Sequence, residues 1–109
     1  MSATRPSPVG CPKHALDTPV LVVDLDSLDR NIARMAGTFR RAGIGWRPHT
    51  KGVKVPAVAH RLLAAGALGV TCAKLSEADV MAAAGIRDIL IASQVIAEAK
   101  ALRAAYLCA

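Results

Sequence analysis

Arg47, His49 and Lys51 stand at every second position of the stretch I-G-W-R-P-H-T-K-G-V-K over residues 44–54. In an extended segment, side chains two apart share a face. One face then carries a guanidinium, an imidazole and an amine, with Pro48 and Thr50 on the other. Such a face is either a solvated edge or the delivery of three cationic or titratable groups to a site. Gly52 breaks the strand after Lys51, which puts the amine at a strand's C-terminal tip. An ordinary lysine, with a pKa of about 10.4, is protonated at neutral pH and a poor nucleophile. Neighbouring cations and desolvation lower that value and favour the neutral amine that forms a Schiff base. Arg47, His49 and Lys54 have the sign to do this to Lys51. On spacing alone a solvated loop lysine is the plainer explanation of Lys51, and a hydrogen-bonded structural residue the plainer one of His49.

The other chemistry-bearing residues have simpler explanations. Lys74 reads as a surface residue and Cys72 as a small buried hydrophobe. Ser93 and Gln94 read as helix-capping groups before ligand-binding ones. Asp24 and Asp26 resemble paired carboxylates, but capping accounts for them. The three cysteines, Cys11, Cys72 and Cys108, lack CxxC spacing and are odd in number, so neither a zinc site nor a disulfide framework is indicated and a reducing cytoplasm is expected.

The elements that must position these groups follow in order. Residues 20–23, V-L-V-V, read as a short buried strand. A helix follows, capped by Asp26 or Ser27, with Leu28, Ile32, Met35 and Phe39 as its buried stripe and Gly43 as its left-handed end. A strand over residues 45–51 precedes a helix that opens at Pro56 and buries Val58, Leu62 and Leu63. Residues 68–73 form the next strand, and Ser76 with Asp79 makes a capping box for a helix that turns Val80, Met81 and Ala84 to the core. Residues 88–92 are the clearest strand, and a last helix runs from 95 to about 107. Three helix ends share one spelling, R-A-G-I, A-A-G-A and A-A-G-I, each soon followed by a strand. Such alternation calls for parallel strands covered by helices, in an open doubly wound sheet or a (β/α)8 barrel. The absence of G-x-G-x-x-G and of a phosphate-loop lysine motif argues against nucleotide-binding versions of the open sheet. In both architectures functional groups gather at the strands' C-terminal ends, where Lys51, His49, Cys72, Lys74, Ser93 and Gln94 fall.

Composition bounds the rest. At 109 residues and 53% hydrophobic content, the chain matches one small α/β domain. With one Trp, one Tyr and one Phe, its core must be Ala, Val, Leu and Ile. The net charge of +6 is dispersed and lacks stacking aromatics, so specific nucleic-acid binding is not expected. No apolar run approaches the roughly 18 residues of a membrane span. Residues 1–17, rich in proline and without an apolar segment, read as a flexible arm rather than a secretory signal.

The segments R-P-H-T-K-G-V-K-V-P over 47–56 and A-A-G-A-L-G-V-T-C-A-K-L-S-E-A-D-V-M-A-A-A-G-I-R-D-I-L-I-A over 64–92 resemble the N-terminal part of the D-threonine aldolase and D-serine dehydratase family. The resemblance runs over about residues 18–94. It implies an alanine racemase-like fold, the N-terminal portion of a (β/α)8 TIM-type barrel that is incomplete in this chain. It also implies pyridoxal 5'-phosphate carried as a Schiff base on Lys51, with His49 and Arg47 as cofactor-binding neighbours. The implied substrate is a small β-hydroxy-D-amino acid, cleaved between Cα and Cβ to glycine and an aldehyde. Alternatives within the resemblance are a D-serine or D-threo-3-hydroxyaspartate dehydratase-like enzyme and a non-catalytic pyridoxal-phosphate-binding protein. Outside it stands a nonfunctional fragment with nonspecific anion binding. Full-length relatives are expected to be homo-oligomers using a divalent metal, with the metal ligands outside this chain. Because a (β/α)8 barrel needs about 250 residues, the chain is expected to be a truncated product with unpaired strand edges, low stability and little activity alone.

Overall fold

The computed structural model describes residues 8–108. Of the arm expected over residues 1–17, residues 1–7 lie outside the described residues, and the remainder contains one short 3-10 helix, Lys13–Ala15. The principal elements are α1 (Leu25–Ala42), α2 (Pro56–Ala64), β1 (Val70–Cys72), α3 (Leu75–Ala83), β2 (Ile89–Ile91) and α4 (Glu98–Cys108). β1 and β2 pair in parallel, Val70 opposite Ile89, Thr71 opposite Leu90 and Cys72 opposite Ile91. The chain is thus mixed α/β with parallel strands, as the alternation of elements requires.

The strand expected over 45–51 is present as an extended segment on the free side of β1, paired through a single bridge, His49 to Thr71. Leu68 N–H donates to Trp46 O at 3.0 Å, Thr71 N–H to Pro48 O at 2.8 Å and Thr50 N–H to Thr71 O at 2.8 Å. Pro48 has no N–H to extend the ladder, which is why the pairing stays this short. Three extended segments therefore lie side by side in chain order, each followed by a helix.

The core lies on the helical side of this layer, where Val70 and Cys72 meet Ala59 of α2, Ala78 and Met81 of α3, and Ile86. Alternation turns His49, Thr71 and Leu90 to the opposite face, where Leu90 is 52% exposed. The Cα radius of gyration is 17.0 Å, against about 13 Å for a compact domain of this length. On the face away from the core His49 and Leu90 are exposed, while Thr71 between them is buried.

Several local expectations are corrected. Residues 20–23 join no strand among the described residues, and their side chains are exposed, Leu21 at 97%. A β-branched run makes a strand only where a neighbour accepts its hydrogen bonds. The cap of α1 is Asp24, whose carboxylate accepts from Ser27 N–H at 2.7 Å, so the helix starts two residues earlier than a cap at Asp26 would allow and three earlier than one at Ser27. Its buried residues are Ile32 and Ala36, while Met35 is 43% exposed. In α2 the fully buried residue is Ala59, with Val58, Leu62 and Leu63 half-buried at the rim. In α3 the buried set is Leu75, Glu77, Ala78 and Met81, with Val80 exposed; the helix is capped at Lys74, two residues before the expected Ser76, and its inward face differs accordingly. The three Ala-Gly helix ends carry positive φ at Gly43, Gly66 and Gly85, the left-handed conformation glycine adopts at least cost. Pro56 opens α2.

Candidate active site

Thr50 anchors the residue that follows it. Its side chain is buried, its hydroxyl donates to Thr71 O at 3.1 Å, and Oγ1 lies 3.6 Å from the Cys72 thiol. Its carbonyl accepts from Val53 N–H at 3.1 Å and Lys54 N–H at 2.8 Å. Lys51 and Gly52 are thereby held as the exposed crown of a tight turn at the C-terminal end of the segment beside β1. The left-handed residue of this turn is Lys54, at φ 55°. Lys51 N–H donates to His49 Nδ1 at 3.2 Å, which makes Nδ1 an acceptor and leaves the ring proton on Nε2. Among the described residues the Lys51 ammonium has no ion-pair partner.

The cations expected to act on Lys51 are otherwise engaged. Arg47 lies at the N-terminal end of the layer, where Nη1 reaches Asp88 Oδ1 at 2.6 Å and Nη2 reaches Oδ2 at 3.0 Å. This fork fits the planar, bidentate geometry of a guanidinium on a carboxylate. Arg47 holds the Asp88 carboxyl below its usual range, and Asp88 raises Arg47 in return. Gly69 gives the guanidinium room to pass, since a Cβ there would collide with Arg47 Nη1 and with the Asp88 carbonyl. Lys54 pairs with Glu77, Nζ to Oε1 at 3.2 Å. Of the three residues singled out by spacing, the fold brings His49 and Lys51 together and takes Arg47 to the other end.

Glu77 went unrecognised in the sequence. The expected capping box used Ser76 and Asp79; instead Lys74 occupies the cap position without a side-chain bond. Glu77, at the third helical position, accepts from Ala73 N–H at 2.8 Å. That bond, opposed by desolvation and assisted by Lys54 and Lys74, lowers the Glu77 carboxyl. The usable signal was an acid at the third position of a helix, read two residues out of register. Asp88 had no sequence signal, because its partner is 41 residues away.

Cys72 is fully buried. Lys74, Ser93 and Gln94 lie exposed at the ends of β1 and β2. They line a cleft of about 160 Å³ with Lys100 and Arg103 of α4, Arg103 being paired with Asp79. Lys51 and His49 stand outside that lining. Among the described residues no group of three His, Cys, Asp or Glu is placed to hold a metal ion. No helix among them is long and apolar enough to cross a membrane.

An exposed primary amine on a hydrogen-bonded turn, with an imidazole bonded to its own backbone N–H, is suited to covalent capture of an aldehyde. The donor set therefore fits pyridoxal 5'-phosphate at the point of attachment. No family model matches the chain. Known proteins do. A D-threonine aldolase of Arthrobacter sp. is 43% identical over 95 residues, 87% of this chain and 25% of the aldolase. A D-threo-3-hydroxyaspartate dehydratase of Delftia sp. is 49% identical over 77 residues, 71% of this chain and 20% of its own length. The crystal structure of D-threonine aldolase from Filomicrobium marinum superposes with a TM-score of 0.81 at 46% identity, covering 84% of this chain and 25% of that one. A variant of D-threo-3-hydroxyaspartate dehydratase solved in its metal-free form superposes at 0.77. The chain spans about a quarter of the length of the proteins it matches.

Proposed function

We propose, because this chain belongs to the D-threonine aldolase and D-serine dehydratase family, that it supplies the cofactor lysine of a pyridoxal-phosphate-dependent lyase acting on β-hydroxy-D-amino acids. In this proposal the three strand-helix units form part of an alanine racemase-like (β/α)8 barrel, and the C-terminal ends of its strands face the substrate. The observation that carries it is the placement of Lys51. The stretch that resembles the family's cofactor-lysine motif carries an exposed amine, on a turn bonded to β1 through Thr50.

When bound, the cofactor supplies an electron sink for the bond broken at Cα. The remaining steps fall to this chain's residues. Lys51 Nζ would hold the cofactor, and its amine when free would be the base that moves a proton at Cα. His49, through Nδ1, holds the Lys51 backbone N–H and so limits where the amine can swing. Arg47 serves the scaffold through Asp88. Cleavage between Cα and Cβ gives glycine and an aldehyde. The divalent metal and most substrate contacts belong to parts of the homologous enzymes outside this chain, in a cytoplasmic homo-oligomer.

The 49% identity to a dehydratase supports a second outcome, elimination to ammonia and a keto acid. Borohydride reduction of the chain with pyridoxal phosphate tests the site: a pyridoxyl group mapped to Lys51 and absent from Lys51→Arg is expected. Label spread evenly over Lys13, Lys54, Lys74 and Lys100 would refute it. Product assays on D-threonine and 3-hydroxy-D-aspartate, with Lys51 in a chain of the relatives' full length, separate the chemistries. Glycine supports the aldolase, ammonia the dehydratase, and neither a cofactor-binding protein without turnover.

A further inference from the structure

We infer that Glu77 is a positioning residue for Lys51, a carboxylate clamp that ties the Lys51 turn to the end of the neighbouring strand. This rests on Lys51 being the cofactor lysine. The Glu77 side chain is 9% exposed, and its two oxygens point to different partners. Oε2 accepts from Ala73 N–H, just past β1, at 2.8 Å. Oε1 meets the ammonium of Lys54, which closes the Lys51 turn, at 3.2 Å. One nearly buried carboxylate thus joins the C-terminal ends of two adjacent extended segments, the first of which ends in the Lys51 turn.

Capping of α3 accounts for only half of this arrangement. Closing the helix start needs the Ala73 bond alone, yet the second oxygen is spent on a residue from another loop. That residue is held at φ 55°, a conformation disfavoured for any side chain with a Cβ. Such strain persists only where surrounding contacts over-determine it, and it gathers at functional sites. Here the over-determining contacts are the Lys54 N–H to Thr50 O bond at 2.8 Å and the ion pair to Glu77. The pair also takes up the positive charge of Lys54, the nearest cation along the chain from Lys51. Glu77 therefore sets the position of the Lys51 turn.

The two roles of Glu77 separate by substitution, because Lys54→Met releases the turn while leaving the Ala73 bond intact. Amide hydrogen exchange on the whole chain is the arm that needs no cofactor. Exchange at Val53 and Lys54 is expected to quicken about two- to fivefold in Lys54→Met, the scale of a partly exposed ion pair, with Ala73 unchanged. Lys54→Arg, which keeps the charge, should return exchange toward wild type. In Glu77→Gln, Ala73 should quicken as well. In the second arm, pyridoxal phosphate and borohydride should label Lys51 less, relative to Lys100 of the same chain, in both Lys54→Met and Glu77→Gln. Wild-type turn exchange in Lys54→Met would overturn the clamp, even if Glu77→Gln loosens the whole fold. An unlabelled Lys51 in the wild type would instead overturn the cofactor assignment, with the exchange arm still deciding the clamp.

Discussion

Replacing Gly69 by alanine tests the layer that keeps Arg47 away from the Lys51 turn. Gly69 is buried, and a Cβ there would overlap the Asp88 carbonyl oxygen and Arg47 Nη1. The guanidinium can swing aside only by giving up its fork on Asp88. The carbonyl cannot withdraw cheaply, because it accepts from Val70 N–H at 2.9 Å at the start of the β1–β2 ladder. Overpacking costs about 1–3 kcal/mol, and a backbone obstacle places this site at about 2–3 kcal/mol. Alanine also restricts the unfolded chain, which offsets about 0.4–1 kcal/mol, so the collision wins by about 1–2.5 kcal/mol. For a domain near 100 residues that lowers Tm by about 5–15 °C. Urea unfolding followed by fluorescence of Trp46, the single tryptophan, stacked on Phe39 at 5.6 Å, provides the measurement. In an Arg47→Ala background the same substitution should cost less, since one of the two obstacles is gone, though not zero. A midpoint for Gly69→Ala equal to or above wild type would refute the close approach of the two strands at this position.

Met81, 1% exposed at the centre of the core, should cost about 2–5 kcal/mol on truncation to alanine, read by the same unfolding assay; a loss under about 1 kcal/mol would mean that the helical face is not close-packed. Asp24, Glu77 and Asp88 all titrate lower in the folded chain than their ordinary values of 3.8, 4.5 and 3.8. The unfolded chain therefore binds more protons in acid, so their contribution is complete above about pH 4.5 and disappears as pH falls through the lowered values. Circular dichroism should show a flat stability plateau above that point, and Asp88→Asn should lose part of the acid-dependent slope; an unchanged slope would remove Asp88 from the account. Lys51→Ala, in an exposed turn, should shift stability by no more than about 0.5 kcal/mol while abolishing pyridoxylation at that position.

Much of this chain was legible as local chemistry. The Ala-Gly helix ends, the proline that opens α2, the strand around residues 89–91 and the alternation of elements depend on backbone preferences of a few neighbouring residues. The motif around Lys51 was also local, and the family resemblance drawn from it agrees with the relatives found. The inward faces of α1 and α3 were less legible, because a shift of one residue at a cap rotates a whole helix face by about 100°. The β-branched run at 20–23 showed the limit of propensity, since a strand exists only if another strand is beside it.

By itself the sequence determined that an amine would follow an extended, polar-faced segment, and that helices would alternate with parallel strands. The tertiary structure alone decided the company that amine keeps. Period-two alternation put Arg47, His49 and Lys51 on one face, but a face has length. Arg47 is about 13 Å along an extended chain from Lys51 at roughly 3.3 Å per residue, far enough to belong to Asp88. Lys54 belongs to Glu77, from the third element further along the chain. Charge pairing is settled by which residues the fold brings within a few ångströms, and 23 or 41 residues of intervening chain carry no local record of it.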